Sequence, residues 1–149
     1  MRPSPGAILI QLRAYACAWM GIVYHYWGNA YGARGAYETA VRWYRRALDL
    51  DGSLTQVRLD RAILLLRELG EPQTAINELS HLLALDPADE AARFNRGVAH
   101  QQWGDYPHAL ADFRAYLKIG QHPQRRTYAA KMVQEFGDAK EDENDQRQT

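Results

Sequence analysis

The stretch that decides the fold is YHYWGNAYGARGAYETAVRWYRRALDLDG, which occupies residues 24–52. Each half carries a stripe of large and small apolar residues at helical spacing. The first stripe consists of Tyr24, Trp27, Gly28 and Tyr31, and the second of Ala40, Tyr44 and Ala47. Gly35 separates the stripes, at a place where a helix commonly ends in a left-handed residue. The stretch therefore predicts two helices packed against each other, with both stripes in the core between them.

The same rhythm recurs twice further along the chain, in residues 59–87 and 93–121. Aligned on Gly35, Gly70 and Gly104, the three stretches are offset by 35 and 34 residues. Small residues recur at fixed places, where they allow paired helices to approach closely. These small residues are Gly28 and Gly97 in the first helices and Ala40, Ala75 and Ala109 in the second helices. A fixed period of this length is typical of a helical repeat array, so we expect three helix pairs.

These motifs resemble those of the tetratricopeptide repeat (TPR) family, whose pattern is W-x2-L-G-x2-Y, then A-x3-F, then P. The matching residues are Tyr24-x2-Trp27-Gly28-x2-Tyr31 and Ala40-x3-Tyr44 in the first unit, and Gly97, Gly104-Asp105-Tyr106 and Ala109-x3-Phe113 in the third. The middle unit diverges most, because Ile63 takes the place of a small residue, and we expect its helix pair to pack off-pattern. The resemblance implies an all-α fold, a right-handed superhelical solenoid of three TPR-like helix-turn-helix units.

The resemblance and the flanking patterns divide the chain into six segments. They are an N-terminal apolar helix (residues 1–20), three TPR units (residues 21–54, 55–89 and 90–122), a C-terminal capping helix (residues 123–137) and a disordered acidic tail (residues 138–149). The capping helix is predicted from an apolar stripe at helical spacing, with Arg125 and Arg126 on its outer face. The tail is predicted from its polarity. Asp105 is expected to cap the helix that begins near Tyr106.

The resemblance implies a concave groove lined by the first helix of each unit, which in this family usually holds an extended peptide or a partner helix. Carried over position by position, the groove residues are His25 and Asn29 from unit 1, Asp60, Leu64 and Arg67 from unit 2, and Phe94, Val98, Gln101 and Gln102 from unit 3. This mixture of apolar, amide and charged side chains suits a peptide with one or two apolar anchors and a hydrogen-bonding backbone.

One TPR subclass clamps the terminal carboxylates of chaperone tails with Lys, Asn and Arg side chains. Asn29 matches an amide of that clamp, whereas His25 and Ala91 replace two of its lysines. Asn95 takes the place of the clamp's arginine. Because the clamp is mostly absent, we expect this chain not to bind acidic chaperone tails.

Composition and motifs argue against several other classes of function. The chain has 18 basic and 18 acidic residues, which removes the usual electrostatic basis for nucleic-acid binding. None of its five histidines has a His-x3-His spacing, and no phosphate loop, dinucleotide motif or nucleophile elbow is present. Cys17 is the one cysteine, so a reducing compartment, the cytoplasm, is expected. We therefore expect no metal, no cofactor and no enzymatic activity.

The N-terminal segment is the least explained part of the sequence. Residues 14–33 carry no Asp, Glu, Lys or Arg over a length that would suit a transmembrane helix. We expect a division near Gly21 instead, because the second half of this stretch matches the first helix of the first repeat. Residues 7–20 then form a separate apolar helix with a docking stripe of Ile8, Leu12, Tyr15 and Trp19. Three destinations stay open for it: a cap on unit 1, an interface with a second copy or another subunit, and contact with a membrane.

The sequence thus predicts a non-catalytic protein-protein interaction scaffold, an adaptor or complex-assembly factor that binds a protein or peptide partner in its groove. The alternative is an accessory subunit of a larger complex, membrane-associated or not, which docks through the N-terminal apolar helix. The first reading places the protein in the cytoplasm, and the second allows a position at the periphery of a membrane.

Overall fold

The computed structural model describes the backbone of residues 4–146 and the side chains of residues 4–137. Within that range the chain consists of helices and turns, with no strand, as the all-α prediction requires. The seven helices are α1 (Pro5–Tyr31), α2 (Arg34–Leu50), α3 (Thr55–Leu64), α4 (Pro72–Leu85), α5 (Glu90–Trp103), α6 (Tyr106–Ile119) and α7 (Pro123–Gln146). A π-helical turn, Leu65–Leu69, continues α3.

The helices belong to two compact units, residues 1–78 and residues 79–149. The first, called here the N-terminal unit, contains α1, α2, α3 and the start of α4. The second, the C-terminal unit, contains the rest of α4 together with α5, α6 and α7.

Three of the turns between helices use a glycine in the left-handed region. Gly32, Gly70 and Gly104 have φ values of 61°, 69° and 84° and follow α1, the π-helical turn and α5. This region disfavours residues with a Cβ atom, which explains the choice of glycine. The predictions for Gly70 and Gly104 are confirmed. The prediction for Gly35 is wrong, because Gly32 ends the first helix and Gly35 already lies within α2.

Aspartates cap the N-terminal ends of α5 and α6. The Asp89 carboxylate accepts a hydrogen bond from the backbone N–H of Ala92 at 2.8 Å, which caps α5. The Asp105 carboxylate accepts one from the backbone N–H of His108 at 3.3 Å, which caps α6 as predicted. Each bond satisfies one of the N–H groups that a helix leaves unpaired in its first turn.

In the N-terminal unit, tyrosines of α2 pack against glycines of α1. A Cβ atom added at Gly21 would stand 2.4 Å from the ring of Tyr44, and one added at Gly28 would stand 2.4 Å from the ring of Tyr37. The rings therefore fill the space that the two missing side chains leave, and α1 and α2 approach closely.

This packing corrects the predicted core of the first helix pair. Trp27 and Tyr31, expected in the core, are 51% and 79% exposed. The buried face of α1 consists only of small residues, which are Ala14, Ala18, Gly21 and Gly28. The large rings that fill the interface come from α2 instead, so Trp27 and Tyr31 have no space beside it.

α1 is one continuous helix of 27 residues, and the predicted division near Gly21 is wrong. Gly21 stays helical because it lies beneath the ring of Tyr44, where helix packing offsets its low helix propensity. The predicted segments 1–20 and 21–54 therefore meet inside a single helix.

The middle unit departs from its neighbours at the end of α3, where the helix widens into a π-helical turn of five residues. Leu65, Leu66 and Leu69 in this turn are all buried. The wider turn allows three leucines of a five-residue run to reach the core. It follows closely on Ile63, the residue that breaks the repeat pattern in the sequence.

Ion pairs also connect α3 with the start of α4. Arg58 Nη1 lies 2.9 Å from one carboxylate oxygen of Glu78, and Arg61 contacts the other oxygen. All three side chains are between 14% and 16% exposed, so the charges are paired with little access to water.

The C-terminal unit repeats the arrangement of glycine against ring. A Cβ atom added at Gly97 of α5 would stand 2.8 Å from the ring of Phe113 on α6. Phe113 is fully buried, at the centre of a cluster to which α7 also contributes. The other buried members of this cluster are Ala109, Tyr116, Ala129 and Met132.

A buried ion pair accompanies this cluster. Asp112 is 3% exposed and accepts two hydrogen bonds from the Arg96 guanidinium, at 2.7 Å and 2.8 Å. Arg93 stands 3.6 Å from the same carboxylate. The hydrogen bond to Asp112 raises the pKa of Arg96.

α7 packs on α6 and continues past its predicted end at Gly137 to Gln146. The predicted disorder of the tail is therefore wrong for residues 138–146, where the backbone is helical. Residues 139–143, AKEDE, include good helix formers and no proline or glycine, which favours continuation. Residues 147–149 of the predicted tail lie outside the described residues.

Because α1 and α2 approach closely, a single methyl group added between them is expected to destabilise the protein. Gly21→Ala should lower the free energy of unfolding by about 1–3 kcal/mol, because the added Cβ overpacks a tightly packed interface. The ring it meets, Tyr44, is 1% exposed and has no space into which to move. Urea denaturation followed by circular dichroism measures the change.

Gly35→Ala is the matched control for that substitution. An added Cβ at Gly35 meets no atom within 4 Å, so the better helix propensity of alanine should leave stability equal or raise it by up to about 1 kcal/mol. Equal destabilisation by both substitutions would contradict the packing argument.

A second prediction concerns the buried carboxylate of the C-terminal unit. Asp112→Asn should lower the free energy of unfolding by about 3 kcal/mol, because it leaves the guanidinium of Arg96 without its counter-charge. Glu135→Gln, which breaks a 3.5 Å surface pair with Lys131, is the control and should cost at most about 0.5 kcal/mol. Thermal and urea denaturation of both variants test the difference, and equal losses would refute it.

Candidate functional site

The structure places eight of the nine predicted groove side chains at or near the surface. His25, Asp60, Phe94, Val98 and Gln101 are half-buried, and Asn29, Arg67 and Gln102 are exposed. Leu64 is the exception, because it is only 1% exposed and belongs to the core. The assignment of Leu64 to a ligand-binding surface is therefore corrected.

In the N-terminal unit, Tyr37 of α2 links the two predicted groove residues of α1. Its hydroxyl donates a hydrogen bond to Asn29 Oδ1 at 3.1 Å, and its ring lies edge-on to His25 with centroids 6.2 Å apart. Burial, and secondarily the negative charge of Glu68, raise the pKa of Tyr37, so the hydroxyl keeps its proton. Asn29 is thereby oriented with its amide NH2 as the group that can donate to a ligand.

The two surface residues predicted from the middle repeat are both charged. Asp60 accepts a hydrogen bond from the side chain of Gln56 at 2.8 Å, one helical turn earlier on α3. Arg67 lies exposed in the π-helical turn. Together with Asn29 and His25, they give the N-terminal unit a polar set of candidate ligand contacts.

In the C-terminal unit, Phe94 is the centre of an aromatic group. Its ring centroid lies 6.0 Å from that of Phe113, 5.2 Å from that of Tyr116 and 5.8 Å from that of Tyr128. The guanidinium of Arg125 stands 5.5 Å from the ring centroid of Phe94, in a cation–π contact. Phe94 is therefore partly a packing residue.

Gln101 is engaged by α7 as well. It accepts a hydrogen bond from the Tyr128 hydroxyl at 2.7 Å and donates one to the sulfur of Met132 at 3.2 Å. Arg125 and Tyr128 are thus neighbours of the candidate site that the sequence did not assign to it. Arg125, expected on an outer face, is half-buried over Phe94. The spacing of Tyr128 and Met132, one helical turn apart, is the signal that points to this face of α7.

The position that corresponds to the arginine of a carboxylate clamp is turned inward. Asn95 is 8% exposed, and its side-chain NH2 donates a hydrogen bond to the backbone carbonyl of Ala91 at 2.8 Å. Its amide therefore satisfies its own helix and does not project a donor toward a ligand.

All four residues of the predicted docking stripe are exposed. Ile8, Leu12, Tyr15 and Trp19 are 44%, 61%, 54% and 68% exposed. Sixteen large apolar side chains are exposed in the described part of the chain, and twelve of them belong to α1. By length and composition alone, α1 is also long and apolar enough to cross a membrane.

Three further side chains converge at the turn between α5 and α6. Both His100 Nδ1 and His108 Nδ1 approach the Asp105 carboxylate, at 3.4 Å and 2.8 Å, and the two rings stack with centroids 5.2 Å apart. The hydrogen bond from His108 lowers the pKa of Asp105, and burial lowers that of His100. The sequence did not indicate this cluster, because a turn rather than a regular helical spacing brings its members together.

Comparison with known proteins identifies the repeat and the fold. The family model described as tetratricopeptide repeat matches residues 23–53. A search of the curated proteins finds no match.

Three solved structures illustrate the likeness of fold. The Arabidopsis OM64 TPR domain is 24% identical with a TM-score of 0.71, over 85% of this chain and 98% of that one. The second TPR domain of human RPAP3, in complex with the HSP70 peptide SGPTIEEVD, is 22% identical with a TM-score of 0.64, over 83% of this chain and 98% of that one. MamA from Desulfovibrio magneticus RS-1 is 17% identical with a TM-score of 0.64, over 87% of this chain and 76% of that one.

A TPR fold accounts for the helix pairs, for the glycines that pack against aromatic rings and for the left-handed glycines at the turns. The chain carries a tetratricopeptide repeat at residues 23–53, and its fold is that of TPR domains.

Proposed function

We propose that this protein is a non-catalytic interaction scaffold that binds a peptide or a helix of a partner protein. The observation that carries the proposal is the distribution of side chains on α1, α3 and α5. These helices and the π-helical turn after α3 bury small residues and leucines together with Asn95, and they keep eight of the nine predicted ligand-facing side chains at least partly accessible. The likeness in fold to the RPAP3 domain, which is described with a bound HSP70 peptide, supports the same class of function.

The two units offer different chemistry to a ligand. The N-terminal unit presents the amide of Asn29, the guanidinium of Arg67 and the carboxylate of Asp60, which suit backbone and side-chain hydrogen bonds. The C-terminal unit presents the half-buried ring of Phe94 and, about two helical turns further along α5, the exposed amide of Gln102. An apolar anchor of a peptide suits the C-terminal unit, and polar groups of a peptide suit the N-terminal unit.

The proposed ligand therefore differs from an acidic chaperone tail. A carboxylate clamp needs several cationic donors, and here His25 and Ala91 stand where lysines are expected. Asn95, at the arginine position, bonds to its own helix. We place this scaffold in the cytoplasm, because the single cysteine, Cys17, has no intrachain partner for a disulfide.

The test begins with peptides selected from a random phage-displayed library on the immobilised full chain. Fluorescence anisotropy then measures their affinity for the wild type and for the double variant Asn29→Ala, Arg67→Ala. We expect the double variant to bind at least about tenfold more weakly, because it loses one neutral and one charge-assisted hydrogen bond. The peptide SGPTIEEVD should bind the wild type weakly, because the clamp residues are replaced.

Arg45→Ala supplies the matched control, since Arg45 is an exposed residue of the second helix of the first pair. It should leave the affinity of the selected peptides unchanged. Selected peptides that bind all three proteins equally would rule out this ligand surface. Tight binding of SGPTIEEVD would overturn the assignment of the ligand class.

A second candidate function concerns α1, whose exposed side differs from that of an ordinary surface helix. We propose that this side docks the protein on a membrane surface, as part of a peripheral accessory subunit. Ile8, Leu12, Tyr15 and Trp19 continue into Ile22, Val23, Tyr26 and Trp27 on the same exposed side. These eight residues are called the α1 apolar face below. A soluble surface helix normally presents polar residues there.

Two features favour lipid over a flat protein partner. First, residues 7–12 of α1 are apolar except for Gln11 and are exposed on every side, which suits hydrocarbon that surrounds a helix. Secondly, residues 1–37 contain three arginines and no acidic residue, which suits an anionic headgroup region. The tyrosines and tryptophans of the α1 apolar face are typical of the membrane–water interface.

The packing of α2 determines how α1 would meet a membrane. α2 lies along α1 from Gly21 to Gly28, and its outer side carries Glu38, Arg42, Arg45, Arg46 and Asp49. Charged residues of this kind are costly in hydrocarbon, so α1 would not cross the bilayer with α2 attached. It would lie in the plane of the interface instead, with the α1 apolar face toward the lipid tails.

Vesicle co-sedimentation of the full chain tests this second proposal. We expect binding to phosphatidylcholine vesicles that contain phosphatidylglycerol and weaker binding to phosphatidylcholine alone. Leu12→Glu with Trp19→Glu should reduce binding by at least roughly a hundredfold, because each substitution removes about 1.5–3 kcal/mol of apolar burial.

The control replaces two exposed apolar residues outside α1, by Leu85→Glu with Trp103→Glu, and should bind vesicles like the wild type. A second copy of the chain is the competing occupant. Lipid-independent dimers that dissociate in the Leu12→Glu, Trp19→Glu variant, without vesicle binding by the wild type, would refute the membrane proposal and favour a homodimer.

A further inference from the structure

Three metal-ligating side chains meet where α5 ends and α6 begins. His100 lies in the last turn of α5, Asp105 caps α6, and His108 lies in the first turn of α6. Ligand atoms of all three residues lie within 4.8 Å of one another. We propose that His100, Asp105 and His108 form a binding site for a divalent transition-metal ion of the zinc, cobalt and nickel type.

The spacing of the ligand atoms suits such an ion. A carboxylate oxygen of Asp105 lies 3.4 Å from His100 Nδ1 and 2.8 Å from His108 Nδ1. Bonds of about 2.0–2.1 Å at tetrahedral angles place neighbouring ligand atoms about 3.3 Å apart. The side chain of His108 is 71% exposed, so it can rotate to make the small adjustment that is needed.

A separate observation at His100 favours a metal ligand bond at this side chain. Its side chain is only 12% exposed. Its Nδ1 atom is buried and forms no hydrogen bond with any described residue. A buried polar atom without a partner is unfavourable, and native structures rarely leave one. A metal ion bound to Nδ1 of His100 would satisfy this atom. The hydrogen bond between Asp105 and His108 leaves it without a partner.

The surrounding charges also allow a cation to bind. The charged groups that face His100 are Asp105, Asp112 and Arg96. Two hydrogen bonds, at 2.7 Å and 2.8 Å, pair Arg96 with Asp112, so those two charges largely balance. The carboxylate of Asp105 then supplies the negative charge at the site.

The donor set selects the class of metal. Two imidazoles with one carboxylate suit zinc, cobalt or nickel, whereas calcium and magnesium prefer oxygen ligands only. Three protein ligands leave a fourth position open toward solvent, which a water molecule can fill. Since the ligands come from both helices, the bound ion would tie α5 to α6 and stabilise the C-terminal unit. This inference is independent of peptide binding and of membrane docking.

Zinc chloride titrated into the full chain in a calorimeter tests the proposal. We expect one equivalent to bind and the melting temperature to rise in its presence. Cobalt chloride should give the visible absorption of a tetrahedral cobalt site. His100→Gln and His108→Gln should each weaken zinc binding by at least about tenfold, as loss of a direct ligand is more severe than loss of a supporting one.

His81→Gln and His122→Gln are the controls, because both histidines are exposed and lie outside the cluster. They should bind zinc like the wild type. Zinc binding of equal strength in all five proteins would mean an adventitious ion only and would overturn the proposal, as would an absence of binding to the wild type. If His100→Gln fails to fold, the exposed His108→Gln variant still decides the outcome.

Discussion

The structure depends on one kind of contact, in which an aromatic ring of a second helix occupies the place of a missing side chain on the first. Tyr44 lies against Gly21, Tyr37 against Gly28, and Phe113 against Gly97. Each contact brings two helices close together and buries a ring almost completely. Because the ring and the glycine fit only in one rotation of the helices, these pairs also fix which side of each first helix remains for solvent or ligand.

That constraint explains the unusual exterior of α1. Small residues are sufficient to hold α1 against α2, so its large apolar residues remain outside the interface. One side of α1 therefore packs in the core, and the other side exposes the α1 apolar face. Each unit also contains a set of paired charges, at Glu78 in the N-terminal unit and at Asp112 in the C-terminal unit.

The repeat pattern of the sequence predicts candidate groove residues, but periodicity could not show how far each side chain would be covered. The slots of the repeat pattern place Asn29, Arg67 and Gln102 at the surface, as expected. The repeat pattern also assigns Leu64 to the surface, and this is wrong. Leu64 is buried, as are Leu65, Leu66 and Leu69 of the π-helical turn that follows it. The contact of Tyr128 with Gln101 depends on how α7 is rotated against α5, which no spacing within α5 encodes.

The sequence by itself determined the all-α class, the glycine turns at Gly70 and Gly104 and the cap at Asp105, because these depend on local backbone chemistry and a short repeat period. Only the tertiary structure decided that α1 is continuous through Gly21, since a glycine breaks or continues a helix according to what packs on it. The tertiary structure alone also brought His100 and His108 around one carboxylate, because a turn joins residues that helical periodicity keeps apart.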